Sequence, residues 1–596
     1  MMTDEHVLTE SLDRVRRGSL GRREFARGLL ALGLTPPLIA ELLRSGGVAH
    51  AQPKRGAFAP TRRGGGGDLK MLWWQAPTIL NPHLAIGVKD GDGSRLFYEP
   101  LVSFDPDGNF VPVLAAEVPT LQNGQVARDG LSVTVKLKKG VQWHDGKPFT
   151  ADDVVFTWEY AADPATLAVS SGSYRDIARI DKLDTHTAKI AYKTPTPFWA
   201  NAFRSVIPRH VFGPFKGGQS REAPANLKPV GTGPYRIVDF KPGDIVRAEI
   251  FPGYHEANWP FFDRLEMKGG GDAVSAARAV IQTGEYDFAW NMQVEDEQLK
   301  RFEQGGKGRV EITSGGNIEH IQVNTTDPWT EVDGERSSAK TKHPTLSDPA
   351  VRQALNLLVD RGSVQEEIYG RTGIATANFL NAPSRYVSKN TKFEFSVDKA
   401  NQILESAGWK RGGDGIRAKD GKKLKFVYQT SINAPRQKTQ QIVKQACAKA
   451  GIELELKSVT ANVFFASDPA NPDTYSHFYT DLQMYTTTMT RPDPQRFMDQ
   501  FTSWEVSAKD NKFALTNKTR WRNEEYDKLW KAAEHEMDPV KRAALFIKMN
   551  DLVIQNVVVI PVVARPGVAA ISNRLRDAVQ SGWDSNFWAL AYWSKA

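Results

Sequence analysis

The residues that could carry out catalysis in this chain follow none of the spacings typical of compact catalytic or metal sites. Its eleven histidines include no H-x-H, H-x-x-x-H or H-E-x-x-H pair, so a histidine-based metal site is not expected. The sequence has no G-x-S-x-G elbow and no Walker A loop, and Gly231-Thr-Gly-Pro is too short for a dinucleotide fingerprint. His144-Asp145 could form an acid–base pair, but its Asp-Gly turn favours a structural role. We expect no enzymatic activity, no metal and no cofactor.

Aromatic residues beside polar ones are the more informative chemical feature. The chain has 15 Trp, 15 Tyr and 29 Phe, and most aromatic side chains in any protein belong to the core. Several nevertheless lie beside polar residues near predicted strand ends, namely Trp73-Trp74-Gln75, Trp290-Asn291 and Met484-Tyr485. Such clusters suit a cleft that encloses an organic solute.

Length and composition describe a large globular protein. At roughly 150 residues per domain, 596 residues predict about four domains or one multi-lobed protein. The net charge is +8, but five of these charges lie in the first 67 residues, so the body is nearly balanced and gives no argument for nucleic-acid binding. The single cysteine, Cys447, excludes a disulfide within the chain and a cysteine-based zinc site, and suits an oxidising compartment.

The first 51 residues have the features of an export signal. Arg22-Arg23-Glu24-Phe25 follows a polar leader and precedes a short apolar run over residues 28–40. Ala49-His50-Ala51 then places small residues where a signal peptidase reads them. We interpret residues 1–51 as a twin-arginine (Tat) signal peptide that is cut before Gln52. Because no cysteine lies near the cut, a lipid anchor is not expected.

The body begins after a short lead-in and contains no predicted membrane span. Residues 52–67 are rich in Pro, Arg and Gly and end in four glycines, which predicts a disordered lead-in. The most apolar later segment, residues 552–564, is interrupted by Gln555 and Asn556. It is therefore predicted to be a buried element.

Hydrophobic periodicity predicts an α/β protein. Residues 131–137 alternate as a half-buried strand, and Thr150-Ala-Asp-Asp153 reads as a capping box that starts a helix. A second helix opens at Asp348-Pro349. Residues 424–456 alternate, become helical and alternate again, which predicts a β-α-β unit with Cys447 packed in its helix.

Five sequence blocks in order resemble the large peptide-binding solute receptors of ABC transporters, known as family 5 or cluster C. The resemblance covers nearly the whole predicted mature chain. Its blocks are Leu96-Phe-Tyr-Glu-Pro-Leu101, Lys139-Gly-Val-Gln-Trp-His-Asp-Gly-Lys-Pro-Phe-Thr-Ala-Asp-Asp-Val-Val155, Val230-Gly-Thr-Gly-Pro-Tyr235, Asp348-Pro-Ala-Val-Arg-Gln-Ala-Leu355 and Ala400 to Gly408.

The resemblance implies a periplasmic binding protein-like type II fold of cluster C. Two α/β lobes joined by a hinge would carry an extra inserted domain. We expect lobe I to comprise 68–103, 229–317 and 565–596, the inserted domain 104–228, and lobe II 318–564. The chain would cross between lobes near 317–324 and 561–565, and a ligand would bind between the lobes.

The resemblance also gives candidate ligand contacts. Dipeptide receptors of this family hold the peptide's amino terminus with an acidic residue, and the matching position here is Thr488 or Thr490. The position that would hold a carboxylate lies near Thr430, so both dipeptide anchors look absent, while Asp493 lies nearby. The candidate ligand-binding residues are Trp74, Gln75, Trp290, Asn291, Asn324, Tyr485, Thr487, Thr488 and Arg491.

The resemblance implies the periplasmic substrate-binding protein of an ABC importer. It would carry an oligopeptide or related polar organic solute to an inner-membrane permease, as a monomer exported by the Tat machinery and not lipid-anchored. One alternative is a receptor for a non-peptide solute, such as an opine, an oligosaccharide or a nickel complex. A periplasmic hydrolase that uses the same cleft and a sensory or chaperone-like protein are further alternatives.

Overall fold

The computed structural model describes residues 58–596. The predicted signal peptide, its cleavage site and the start of the lead-in lie outside the described residues. The strands are β1 (Asp68–Trp73), β2 (Val102–Phe104), β3 (Phe110–Pro112), β4 (Ser132–Lys136), β5 (Ile177–Asp184), β6 (Thr187–Tyr192), β7 (Tyr235–Lys241), β8 (Ile245–Ile250), β9 (Arg264–Gly269), β10 (Phe288–Ala289), β11 (Gly308–Val323), β12 (Ile374–Ala375), β13 (Lys410–Arg411), β14 (Arg417–Lys419), β15 (Lys422–Lys423), β16 (Lys425–Ser431), β17 (Glu453–Val459), β18 (Leu482–Thr487), β19 (Val559–Ser572), β20 (Leu575–Arg576) and β21 (Ser594–Lys595).

The helices lie between these strands and at their ends. They are α1 (Gly87–Arg95), α2 (Ala151–Ala162), α3 (Arg209–Phe212), α4 (Ala273–Ala277), α5 (Asp296–Glu303), α6 (Pro349–Leu357), α7 (Arg361–Val364), α8 (Val397–Ser406), α9 (Ala434–Lys449), α10 (Ala461–Phe464), α11 (Gln495–Met498), α12 (Glu524–His535) and α13 (Pro539–Gln555). Across residues 58–596, none of them is both long and apolar enough to cross a lipid bilayer.

One mixed sheet runs through the molecule in the order β17-β16-β18-β11-β19-β10-β1-β9-β8-β7. We call the half with β1 and β7–β10 lobe I and the half with β16–β18 lobe II. The long antiparallel strands β11 and β19 lie at the centre and pair with both halves. The two lobes are therefore joined by two crossing strands, as the predicted two-lobe α/β fold requires.

The pairing of the crossing strands is interrupted between the lobes. The register of β11 and β19 shifts between Thr313 and Asn317, opposite Arg565 and Gly567. From Ile318 onward, β11 also pairs with β18. The break lies at the start of the predicted crossing segment 317–324. Because strand-pairing hydrogen bonds are missing there, the chain can bend at this point as a hinge.

Several local predictions are confirmed. The Thr150 capping box starts α2, and the Asp348 side chain caps α6 with Pro349 in its first turn. Strands β16 and β17 are parallel with α9 between them, as predicted for a β-α-β unit. Cys447 is fully buried in α9, and burial raises the pKa of its thiol. It is therefore a packed side chain with little thiolate character.

A three-stranded sheet of β4, β6 and β5 carries α2 and packs against lobe I. We call this part the inserted domain. Its core residues, including Val133, Trp143 and Phe156, are continuous with Leu69 and Phe288 of lobe I. Lobe II has its own core around Leu355 and Val443.

Three of the five resembling sequence blocks meet at one junction of backbone and a histidine ring. The His144 Nδ1 atom accepts a hydrogen bond from the Gly231 amide at 3.1 Å, and its Nε2 lies 3.0 Å from the Gly233 carbonyl oxygen. The Gly233 amide donates to the Phe97 carbonyl at 2.8 Å. Burial lowers the pKa of His144 to about 4, so the ring is neutral and fits this role. These contacts favour a structural role for His144 over a role as an acid–base group.

Gly231 is expected to tolerate no side chain, because a Cβ atom there would overlap the backbone carbonyl of Phe97. We predict that Gly231→Ala lowers the free energy of unfolding by about 1–3 kcal/mol through overpacking. Gly218→Ala is the matched control, since a Cβ there would meet nothing within 4 Å. Equal stability of the two variants in denaturant titrations would contradict the prediction.

Candidate ligand-binding site

A cavity of about 510 Å³ lies between the two lobes. Strands β1 and β10 are parallel, so their carboxyl ends reach the same edge of the sheet, and they continue into Gln75 and Trp290-Asn291. From lobe II, the segment 486–491 that ends β18 forms the facing wall. Ligands of open α/β sheets bind beyond the carboxyl ends of their strands, and this cavity occupies that position.

Most of the candidate residues line this cavity, although they come from separate parts of the chain. Two of them, Trp74 and Asn324, do not line it. The lining candidates are Gln75, Trp290, Asn291, Tyr485, Thr487, Thr488 and Arg491.

Trp74 supports the cavity wall from behind, whereas Asn324 is buried in lobe II. The Trp74 indole donates to the Asn291 carbonyl at 3.0 Å. Asn324 is fully buried, and its amide nitrogen lies 2.9–3.0 Å from Ser337 Oγ and the carbonyls of Phe478 and Thr480. Its donors are therefore engaged in holding a lobe II loop.

Aromatic rings and unpartnered polar groups both line the cavity. Trp290 stacks on Trp73 with ring centroids 5.6 Å apart and an interplanar angle of 8°. Tyr485 packs against Tyr475 with centroids 4.9 Å apart. Within the described residues, Gln75 Nε2 and Thr487 Oγ1 are buried without a hydrogen-bond partner. A polar ligand could satisfy them, because buried polar groups are ordinarily paired.

Asn291 has a left-handed backbone conformation that turns the chain after β10. Its φ of 56° is one that asparagine adopts more readily than most residues. The Arg565 guanidinium of β19 donates to the Asn291 side-chain oxygen at 2.9 Å. The crossing strand thus fixes a wall residue of lobe I.

A buried carboxylate, Glu319 of β11, connects both lobes beside the cavity. Arg436 Nε donates to Glu319 Oε1 at 2.7 Å, and Arg565 Nη1 lies 3.5 Å from Oε2. The Gln293 amide of lobe I donates to Oε2 at 3.0 Å, and the Thr486 hydroxyl also donates to it. Burial alone would raise the pKa of Glu319, but Arg436 and Arg565 outweigh it and lower that pKa. The carboxylate is therefore charged, and both of its oxygen atoms have hydrogen-bond or ion-pair partners.

Direct contacts also join the lobes across the cleft. Ser467 of lobe II donates to Asp90 Oδ2 of α1 at 2.6 Å. The Asn462 amide donates to the Gly243 carbonyl at 3.1 Å, and Lys438 pairs with Glu295 at 2.6 Å. The lobes are thus in contact on either side of the cavity.

The positions that would anchor a dipeptide carry no free charge. Asp493 lines the cavity, but Arg542 binds its carboxylate, with Nη2 3.1 Å from Oδ1. Thr488 and Thr490 line the cavity as uncharged residues. Thr430 is fully buried, and its hydroxyl donates to the Met484 carbonyl at 2.7 Å. At these positions the structure therefore offers no unpaired charged side chain to a ligand.

The cavity is strongly basic, which the sequence analysis missed. Eight lysines and arginines line it, against three aspartates and no glutamate. Of these, Arg95 comes from α1, Arg204 from the inserted domain and Lys518 from the loop before α12, so no local pattern signals their convergence. Burial lowers the pKa of Lys518 to about 7. No group of three or more His, Cys, Asp or Glu suited to a metal occurs in the described part of the chain.

Comparison with known sequences identifies the relatives of this chain. The profile of the family described as bacterial extracellular solute-binding proteins, family 5, matches residues 109–509. The oligopeptide-binding protein AppA of Bacillus subtilis is 28% identical over 453 residues, which cover 74% of this chain and 77% of that protein. The glutathione-binding protein GsiB of Escherichia coli is 22% identical over 571 residues, 93% of this chain and 96% of that protein.

Solved structures share the fold. AppA of Bacillus subtilis in complex with a nonapeptide superposes with a TM-score of 0.77 at 25% identity, covering 90% of this chain and 100% of that one. NikZ of Campylobacter jejuni in complex with Ni(L-His) superposes with a TM-score of 0.75 at 22% identity, covering 89% and 99%. Both support the two-lobe fold with an inserted domain.

Removal of the Glu319 charge is expected to destabilise the protein. In Glu319→Gln, Arg436 and Arg565 lose their buried partner, and breaking a buried ion pair in this way costs about 3–5 kcal/mol. Glu311→Gln is the control on the same strand, because Glu311 is 38% exposed and 3.6 Å from Arg309. Denaturant titration should separate the two variants. A Glu319→Gln loss as small as that of the control would contradict this role.

Proposed function

The chain belongs to family 5 of the bacterial extracellular solute-binding proteins, and from this membership we propose that it is the periplasmic substrate-binding protein of an ABC importer. It captures an oligopeptide or related polar organic solute between its lobes and delivers it, as a monomer, to an inner-membrane permease. The observation that carries this proposal is the cavity bounded by both lobes. A ligand that contacts both lobes favours their closed arrangement, which the permease can then distinguish from the open one.

The ligand class rests on the relatives and on the cavity. AppA of Bacillus subtilis is an oligopeptide-binding protein, and a peptide is accordingly our first candidate. The cavity volume of about 510 Å³ falls within the roughly 300–1,000 Å³ typical of small-ligand sites. Aromatic walls and unpartnered polar groups suit a solute with a polar backbone.

The proposed contacts follow from the lining of the cavity. We assign Gln75, Trp290 and Asn291 of lobe I to one side of the ligand and Tyr485, with the segment 487–491, to the other. Trp74 acts from behind the wall, and Asn324 holds the lobe II loop at 478–480. The domain limits proposed are 68–103, 229–317 and 565–596 for lobe I, 104–228 for the inserted domain and 318–564 for lobe II.

A non-peptide acid, such as an opine, is the second candidate ligand. The specific observation is that the lining aspartates are already engaged: Asp493 by Arg542, Asp92 by Asn586 and Asp584 by the Phe104 amide. A peptide's amino terminus would therefore have to bind uncharged acceptors. A hydrolase is a weaker candidate, because the named relatives are binding proteins and His144 is held by backbone groups.

The route to the periplasm is part of the proposal. Arg22-Arg23 followed by an apolar run and Ala49-His50-Ala51 supports Tat export and cleavage before Gln52. Tat substrates cross the membrane folded, so the protein would reach the periplasm with its cleft already formed.

A thermal-shift screen of the exported protein tests the ligand proposal. The panel contains di- to octapeptides, opines, oligosaccharides and a nickel salt. A ligand at 100 times its dissociation constant adds about 2.7 kcal/mol of stability, so we expect a clear rise in Tm with a short peptide. Trp290→Ala should reduce the rise, and Trp329→Ala should keep it, because Trp329 is 54% exposed and lies outside the cavity. A rise unaffected by Trp290→Ala would exclude Trp290 as a contact, and a rise with sugars alone would exclude peptides.

Export is tested by changing the arginine pair conservatively. We expect the double variant Arg22→Lys, Arg23→Lys to remain in the cytoplasm, because the Tat machinery reads the two arginines as an address. The double variant Arg14→Lys, Arg16→Lys is the control, since it makes the same change in the leader outside the motif. Cell fractionation measures both, and normal export of the first variant would contradict the Tat assignment.

A further inference from the structure

Three arginines from three parts of the fold line the cavity close enough to one another for their charges to interact. Arg95 ends α1, Arg204 belongs to the inserted domain and Arg491 follows β18. We infer that these three guanidinium groups form a subsite for a carboxylate of the solute, so that the transported ligand is an organic acid or a peptide bound through a carboxylate. This inference rests on the proposed solute-binding function and specifies its ligand.

Arg491 provides the first support, because its charge is buried without adequate compensation. The residue is 5% exposed, and among the described residues its Nε and Nη1 atoms have no hydrogen-bond partner. The nearest carboxylate oxygen, Oδ2 of Asp584, lies 3.9 Å from Nη1. The guanidinium stacks on Phe104, with its carbon 4.5 Å from the ring centroid. Stacking fixes the plane of the fork and leaves its edge for an acceptor.

Arg95 and Arg204 add positive charge to the same place. Arg95 is 7% exposed; its Nη2 donates to Ser103 at 3.0 Å, and within the described residues its Nε has no partner. Arg204 is exposed toward the cavity, and in the described part of the chain no carboxylate oxygen lies within 4.0 Å of it. Burial and the nearby charges of Arg204 and Arg95 together lower the pKa of Arg491 to about 9. The three cations therefore repel one another.

The neighbouring carboxylates leave this charge only partly balanced. Asp92 accepts from Ser585 at 2.6 Å and from Asn586 at 2.7 Å, and burial raises its pKa to about 6 in spite of these bonds. Asp584 accepts from the Phe104 and Ser585 amides at 2.9 and 2.7 Å. Both carboxylates thus hold protein groups. Glu99 also attracts Arg95, but its charge is matched by His255, whose Nε2 lies 2.9 Å from Glu99 Oε2. Apart from that pair, three cations face two anions, which leaves room for one further negative charge.

A carboxylate is the group that fits this arrangement. The guanidinium fork donates two parallel hydrogen bonds to a planar carboxylate, and the unpartnered Arg491 nitrogens would gain acceptors. An anion held here would contact α1, the inserted domain and the segment after β18 together. It would therefore favour closure of lobe II onto the other two parts, since a ligand shifts an equilibrium through its differential contacts.

Matched pairs of acids and neutral analogues test the inference. The exported protein is titrated at millimolar concentrations with tetra-alanine and its C-terminal amide, with glutamate and glutamine, and with citrate and its trimethyl ester. We expect each bound acid to be preferred over its neutral partner, by about 10- to 100-fold, the worth of hydrogen bonds to a charged group. Preference for tetra-alanine over its amide places a peptide C-terminus at the subsite. Preference confined to citrate or glutamate places a non-peptide acid there.

Variants connect the preference to the arginines. Arg204→Gln and Arg491→Gln should each abolish the preference for the acid. Arg491 is buried, so its variant can fail to fold; Arg204 is exposed, so Arg204→Gln is expected to fold and keeps the test decisive. Arg236→Gln on β7 is the control, because it removes one positive charge from an exposed pair with Glu249. Equal binding of acids and neutral analogues, or a preference that survives Arg204→Gln, overturns the carboxylate subsite while the solute-binding function stands. Absence of binding by every acid also overturns it, and only failure of the whole solute panel overturns the proposed function.

Discussion

Burial of the Glu319 carboxylate between two arginines is the constraint on which the two-lobe arrangement depends. A charge removed from water is tolerated only when its partners surround it, and here those partners come from β18, β19, α9 and the loop after β10. Arg565 also holds Asn291, so the same network positions the lobe I wall of the cavity. The crossing strands and the lobe I wall of the cavity are therefore held by one network of ion pairs and hydrogen bonds.

The sequence blocks that resemble the family stabilise the junction between domains, whereas other residues line the cleft. Phe97, His144 and Gly231 meet where the inserted domain joins lobe I, through backbone hydrogen bonds and a close approach that excludes side chains. Such a junction restricts which residues fit, because backbone groups must be paired and no Cβ has space. The cavity wall instead uses side chains at strand ends, where the fold accepts many residue types.

The electrostatics of the cavity follow from how its charges are paired. Lys89 is bound by Asp90, and Arg436 and Arg565 are bound by Glu319, so these cations are structural. The carboxylates near Arg204 and Arg491 are Asp92 and Asp584, which already accept protein hydrogen bonds. Arg95 lies near Glu99, which His255 already pairs. The lining cations therefore differ in whether a carboxylate already neutralises them. The proposed carboxylate subsite among Arg95, Arg204 and Arg491 gives the proposed ligand its orientation.

The sequence by itself determined the local elements and the fold class, because caps, turns and hydrophobic alternation act over a few residues. It predicted the Thr150 and Asp348 helix starts and the β-α-β unit around Cys447, and the resemblance supplied the two lobes. It also placed Trp290 and Tyr485 near strand ends. Only the tertiary structure decided that Asn324 and Trp74 do not line the cavity and that Arg95, Arg204 and Arg491 line it together. Arg95 and Arg204 are 109 positions apart and Arg491 lies 287 positions further on, and only packing of the lobes and the inserted domain brings their charges together.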